Sequence, residues 1–234
     1  MNYSAEKIFD LLENYCFSEY FCQCDVDCFL ESIDAEAKGI DFEYGASKIV
    51  LWGRDWDYVI KIPFTGGVDE DDNYGDSYED FNNAPNFAAA RLAVKYGYNP
   101  DNLSCWDYCE TEVKVYQAAK RIGVEKYFAE TRYIGEVYDH PIYVQERCKM
   151  GPQSFRSYEE EKTFERDSRE KDMCFCGNTD WAMDLYDYIA NEELYKIIIK
   201  LIDNVFEITD IHSGNVGYRL NGCPVLVDYA GFHN

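Results

Sequence analysis

Residues 208–234 read ITDIHSGNVGYRLNGCPVLVDYAGFHN. Asp210 is followed by Asn215, and a short apolar run from Pro224 to Val227 then delivers a second acid, Asp228. NVGYRL (215–220) and PVLVDY (224–229) flank a turn at NGC, so the segment predicts a β-hairpin. A hairpin folds the chain back and lets Asn215 and Asp228 face one cleft. Two such oxygen ligands suit Mg2+, which takes carboxylate and amide oxygens. Asp210 would orient or deprotonate an attacking hydroxyl. Phosphoryl transfer needs these groups, and also a lysine on the phosphates that a further carboxylate fixes. The bland reading is that Asp210 and Asn215 are turn residues at the end of a helix, where Asx residues are common, and that Asp228 is a strand-end acid.

Working outward, DWDYVIKIPF (55–64) alternates as a strand, with Lys61 on the face opposite Ile60 and Ile62. Before it, DFEYGASKIVLWG (41–53) predicts two strands around a glycine turn. CWDYCETEVKVYQAAKRIGV (105–124) has helical spacing and Gly123 as its stop. FAETRYIG (128–135) and HPIYVQERC (140–148) predict two more strands. Residues 149–174 form a charged connector, partly helical. TDWAMDLYDYIANEELYKIIIKLIDNVFEI (179–208) is strongly helical, with a break near Asn191. AEKIFDLLENY (5–15) and NFAAARLAVKYGY (86–98) predict helices, the acidic run 69–80 a solvated loop, and residues 16–35 resist assignment. The order predicts an α+β fold in two lobes. Its parts are a helical, Cys-rich extension (1–40), a β-rich lobe with inserted helices (41–148) and a smaller helical lobe ending in the hairpin (149–234).

Composition narrows the function. With 45 Asp and Glu against 22 Lys and Arg, the net charge is -23. Phosphate backbones repel such a chain, so nucleic-acid binding is not expected. A bound nucleotide would need a local positive centre, such as a metal ion. The sequence offers no apolar stretch long enough to span a membrane and no basic-then-apolar leader, which predicts a cytoplasmic location. The ten cysteines are then expected as free thiols. Two C-x-C pairs, Cys22/Cys24 and Cys174/Cys176, could supply four thiolates to zinc; the alternative is that they are ordinary thiols, with Cys acting as a small hydrophobe.

Taken together, these residues resemble the protein-kinase-like phosphotransferases. Asp210-Ile-His-Ser-Gly-Asn215 is similar to their catalytic loop in the D-x-H-x-x-N form of the aminoglycoside- and choline-kinase branch. Asp228-Tyr-Ala-Gly231 resembles the metal-binding segment after the hairpin, and Val59-Ile-Lys61-Ile62 the strand that carries the phosphate-clamping lysine. The resemblance implies ATP and Mg2+ as cofactors, Asp210 as the catalytic group, and Asn215 and Asp228 as metal ligands. It implies Glu112 as the partner of Lys61, since Val115 and Tyr116 follow where the family carries core residues, with Glu110 as the fallback. Gly45 and Ser47 would lie in the phosphate turn, and Gln145 and Arg147 at the hinge that meets the adenine edge. His212 would support the loop backbone.

The chain departs from the family in ways that shape the expectation. The phosphate turn has one glycine, Gly45, where the family often has two or three. Ile208 and Thr209 precede Asp210 in place of His-Arg. The sequence given ends six residues after Asp228, which predicts a minimal C-terminal lobe without an activation segment or later helices. Three functions follow. The first is an ATP- and Mg2+-dependent phosphotransferase acting on a small molecule or a docked protein hydroxyl. The second is a nucleotide-binding pseudokinase serving as a regulatory module. The third is an acidic decoy or inhibitor that keeps only the fold.

Overall fold

A computed structural model describes residues 1–17, 21–45, 48–64, 108–150, 157–170, 180–198 and 215–229. Asp210, His212, Ser47, Cys105, Cys174, Cys176, the acidic run 69–80 and the expected helix 86–98 lie outside the described residues. The chain divides into two compact units, Met1–Val113 with Thr131–Arg147, and Lys114–Glu130 with Cys148–Asn234.

The first unit is built on an antiparallel sheet of β1 (Ile40–Tyr44), β2 (Lys48–Gly53), β3 (Tyr58–Pro63), β4 (Thr131–Val137) and β5 (His140–Glu146). The strand order is β1-β2-β3-β5-β4. Alternation decides which side of the sheet is apolar. In register, Ile49 faces Ile62, Leu51 faces Ile60, and Ile60 faces Val144, so one face is a continuous aliphatic surface. Left open, that face would expose several side chains, each worth about 1.5–3 kcal/mol on burial.

The N-terminal forty residues cover it. Helices α1 (Ala5–Leu12), α2 (Val26–Ser32) and α3 (Ala35–Lys38) place Ile8, Leu12, Phe29, Leu30 and Ile33 in the same core as the strand residues. Phe17, Phe21 and Phe29 pack there with Tyr15. Tyr15 and Phe21 each meet Phe29 edge to face, at ring centroid distances of 5.2 and 5.6 Å. The described part of segment 16–35, residues 16–17 and 21–35, has no periodicity to read and is held by this aromatic packing against the sheet. Helix α1 also has a local start signal, because the Ser4 hydroxyl accepts from Lys7 N at 3.4 Å.

Helix α4 (Tyr108–Ile122) occupies the expected 105–124 segment and ends at Gly123, whose φ of +77° suits glycine. In the second unit, β6 (Lys149–Met150), β7 (Val216–Tyr218) and β8 (Pro224–Leu226) form an antiparallel sheet in that order. Helices α5 (Tyr158–Glu170) and α6 (Asp180–Ile189) accompany it. The expected break near Asn191 is present. Ala190 adopts a φ of +49°, Asn191 Oδ1 accepts from Leu194 N at 2.9 Å, and residues 192–198 continue as helix. The fold is therefore α+β. Among the described residues, no helix is long and apolar enough to cross a membrane.

Candidate functional site

The sheet face opposite the aliphatic core carries the chemistry of the first unit. Strand alternation puts Lys48, Lys61, Thr131 and Gln145 on that side, and α4 brings Glu112 to them. Lys61 Nζ donates to both Glu112 oxygens, at 2.9 and 2.6 Å. Lys48 Nζ lies 3.4 Å from Glu112 Oε1. Gln145 Nε2 donates to Glu112 Oε2 at 2.9 Å and to Thr131 Oγ1 at 2.8 Å. Glu112 is 0% exposed and Lys61 4%, so these charges meet in a medium that strengthens their attraction. Removal of a carboxylate and an ammonium from water is costly, and such a pair persists only with good geometry and further hydrogen bonds. The amide of Gln145 and the second ammonium of Lys48 supply them.

Glu112 is thus the helix carboxylate that meets Lys61, and the fallback Glu110 is not needed for that role. Gln145 sits in the same network, with its side chain turned to Glu112. Arg147 braces the β2–β3 turn: its Nη1 donates to Gly53 O at 2.6 Å and to Trp56 O at 3.2 Å. The side chains of Gln145 and Arg147 thus bond to Glu112 and Thr131 and to that turn, respectively. Lys48 and Thr131 were not singled out from the sequence. The signal for Lys48 was present: β2 alternation sets it apart from Ile49 and Leu51, and antiparallel pairing turns that side toward the Lys61 side of β3.

Gly45 closes the β1–β2 turn, with its N–H on Lys48 O at 3.1 Å. Among the described residues, nothing lies within 4 Å of where its Cβ would sit. Gln23 Nε2 donates to Gly45 O at 2.7 Å and ties the turn to the N-terminal segment.

The hairpin of the second unit holds Asn215 and Asp228 together. Val227 N donates to Asn215 O at 2.8 Å, and Asn215 Nδ2 donates to the main-chain carbonyl of Asp228. Asn215 is buried and Asp228 half-buried. The strands are anchored from outside the hairpin. Ala129 N donates to Leu226 O, Tyr229 Oη donates to Ala129 O at 2.8 Å, and Arg219 donates to Phe128 O at 2.9 Å. The turn at Gly222, φ +81°, is closed by Gly222 N on Arg219 O. The amide of Asn215 and the carboxylate of Asp228 on one short hairpin could supply oxygen donors to a hard divalent cation, and neither side chain is of the soft kind that favours other metals.

An open depression lined by Glu159, Glu160, Thr163, Phe164, Asp167 and Met183 is distinct from these residues. Its three carboxylates would repel phosphate.

The cysteines depart from expectation in one place. Cys22 and Cys24 are joined as a disulfide, whereas among the described residues Cys16, Cys28 and Cys223 are free thiols. Their separation by a single residue, with Cys22 capping and Cys24 within the 3-10 turn at Gln23–Asp25, brings the two sulfurs together without any long-range constraint.

No family model matches the chain, and neither a curated protein nor a solved structure matches it.

Proposed function

We propose that the chain is an ATP- and Mg2+-dependent phosphotransferase of the protein-kinase-like type, with a small-molecule or docked-protein hydroxyl as acceptor. The observation that carries this reading is the buried pair between Lys61, on the third strand of the sheet, and Glu112, on the helix that precedes β4. In kinase chemistry a strand lysine clamps the nucleotide phosphates and a helix glutamate holds that lysine in place. A lysine extended across a sheet would otherwise sample many rotamers. Fixation by Glu112, itself fixed by Gln145, removes that freedom before a ligand arrives, which lowers the ordering cost of binding. Asn215 and Asp228 would take Mg2+, and the bond from Asn215 Nδ2 to the Asp228 carbonyl supports a preset amide. Mg2+ bound with ATP neutralises charge on the phosphates during transfer. Asp210 would orient the acceptor hydroxyl and accept its proton.

A second reading, nucleotide binding without turnover, is favoured by the β1–β2 turn, whose only glycine is Gly45. A turn with one glycine covers phosphates less closely than one with several.

The test is thermal unfolding with ATP, with and without Mg2+, followed by a phosphate-release assay. A ligand that binds only the folded state raises Tm, by the equivalent of about 2.7 kcal/mol at a hundredfold excess over Kd. The wild type should shift only with both ATP and Mg2+, and Lys61→Ala and Asp228→Asn should lose the shift. Asp210→Ala should keep the shift and lose turnover. A shift without turnover in the wild type would select the second reading. No shift at millimolar ATP would overturn both.

A further inference from the structure

We infer that the reduced Cys22–Cys24 pair, with Asp25, forms a zinc-binding site. The ligand atoms of these three residues lie within 4.8 Å of one another. Zinc holds thiolate sulfur at about 2.3 Å and carboxylate oxygen at about 2.0–2.2 Å in tetrahedral geometry, so its donors sit roughly 3.5–3.8 Å apart. The three groups therefore need only local adjustment of one short turn. Asp25 is already aimed at the pair, because Cys22 N donates to its Oδ2 at 2.9 Å. Cys22 is buried at 4% exposure, whereas Cys24 is exposed, so the site has an inner anchor and an open entrance. Asp25 precedes α2, and Cys28 follows it at the i+3 spacing that shares a helix face. Cys28 is exposed and lies outside that group of three, so a water would complete the tetrahedron.

Thiolate sulfur and carboxylate oxygen are both ordinary zinc ligands, so the donor set matches the ion. The balance is simple. A dithiol or phosphine reductant gives two electrons to the disulfide and is itself oxidised, and the two sulfurs take two protons. Zn2+ then displaces both protons, and no electron moves in that second step. The site is independent of the nucleotide reading, since it uses none of the same residues.

The experiment compares zinc held per chain by the full-length protein, titrated with Zn2+ alone against a chromophoric chelator in the absence of oxygen. Phosphine-reduced wild type should hold one equivalent more than the double variant Cys22→Ser/Cys24→Ser. The oxidised wild type should match the double variant, and Asp25→Asn should bind at least about tenfold more weakly. Cobalt in place of zinc should give a thiolate charge-transfer band in the reduced wild type only. Equal zinc in reduced wild type and double variant would overturn the assignment, as would no zinc in the reduced wild type. If the double variant does not fold, Cys24→Ser, at an exposed position, replaces it. Undiminished zinc affinity in that variant would equally overturn the site.

Discussion

Single residues carry the polar decisions of the first unit. Glu112 is fully buried and holds Lys61 at 2.6 Å, so its loss strands an ammonium inside the protein. Glu112→Ala should cost about 3–5 kcal/mol, the usual effect of halving a buried pair, or roughly 6–20 °C in Tm for a chain of this size. A loss below about 1 kcal/mol in a denaturant titration would mean that water reaches the pair. His140 is the second such residue. Its Nε2 donates to Pro63 O at 2.7 Å, and its ring stacks on Phe17 at 4.5 Å. Burial pushes its pKa down to about 4 from the ordinary 6.5, and the Pro63 carbonyl only partly opposes this. The unfolded chain therefore binds the proton more readily between pH 6.5 and 4, and stability falls as pH drops through that window. The displacement corresponds to roughly 3 kcal/mol, present above pH 6.5 and gone below 4. His140→Gln should flatten the difference in that window, read as the change in unfolding free energy between pH 7 and 4.5 relative to wild type. An unchanged slope would place the pH sensitivity elsewhere among the carboxylates.

Elements show how much was legible and where legibility ended. The β3 alternation, the hairpin at 215–229 and the break at Asn191 were readable because periodicity, turn residues and caps are local signals. Lys61 and Glu112 were expectations carried by the resemblance, and Asn215 with Asp228 by the hairpin and the same resemblance. Lys48 and Thr131 went unread because their role depends on strand register, which lies between segments rather than in one. The fit between α1 and β4 is another such feature. Gly135 has a φ of +135° at a shift in the β4–β5 register, and a Cβ there would sit 2.8 Å from Phe9 Cζ. A bulge re-aims a strand, and glycine lets the backbone take the conformation and accept the ring. Gly135→Ala should cost about 1–3 kcal/mol. Phe9→Ala in the same chain should recover the steric part but not the backbone part, so the two changes should not add. Strict additivity in a double-mutant cycle would show that the ring does not press on residue 135.

At the scale of the whole molecule, charge sets a term that no single contact can cancel. The chain has 45 acids and 22 basic residues, so 45 - 22 = 23 negative charges remain unbalanced, whatever the arrangement of ion pairs. Exposed ion pairs each contribute only about 0–1 kcal/mol. Repulsion among unbalanced charges opposes the compact state as a sum over many distances. Salt weakens that sum, since the Debye length falls from about 30 Å at 0.01 M to about 10 Å at 0.1 M. The Lys61–Glu112 pair is buried and is screened much less than exposed charges. The net effect of added salt should therefore be stabilising, with Tm rising between 10 and 300 mM NaCl and levelling once screening is complete. Potassium chloride should act equally, which separates screening from specific ion binding. If Tm falls with salt, local attractions outweigh the global repulsion, and favourable exposed ion pairs must then hold much of the acidic surface. The same reasoning fixes the ionic strength for nucleotide tests. A chain this negative repels ATP at long range, so encounter should be slowest at low salt, and a binding assay run only there would understate any affinity for nucleotide.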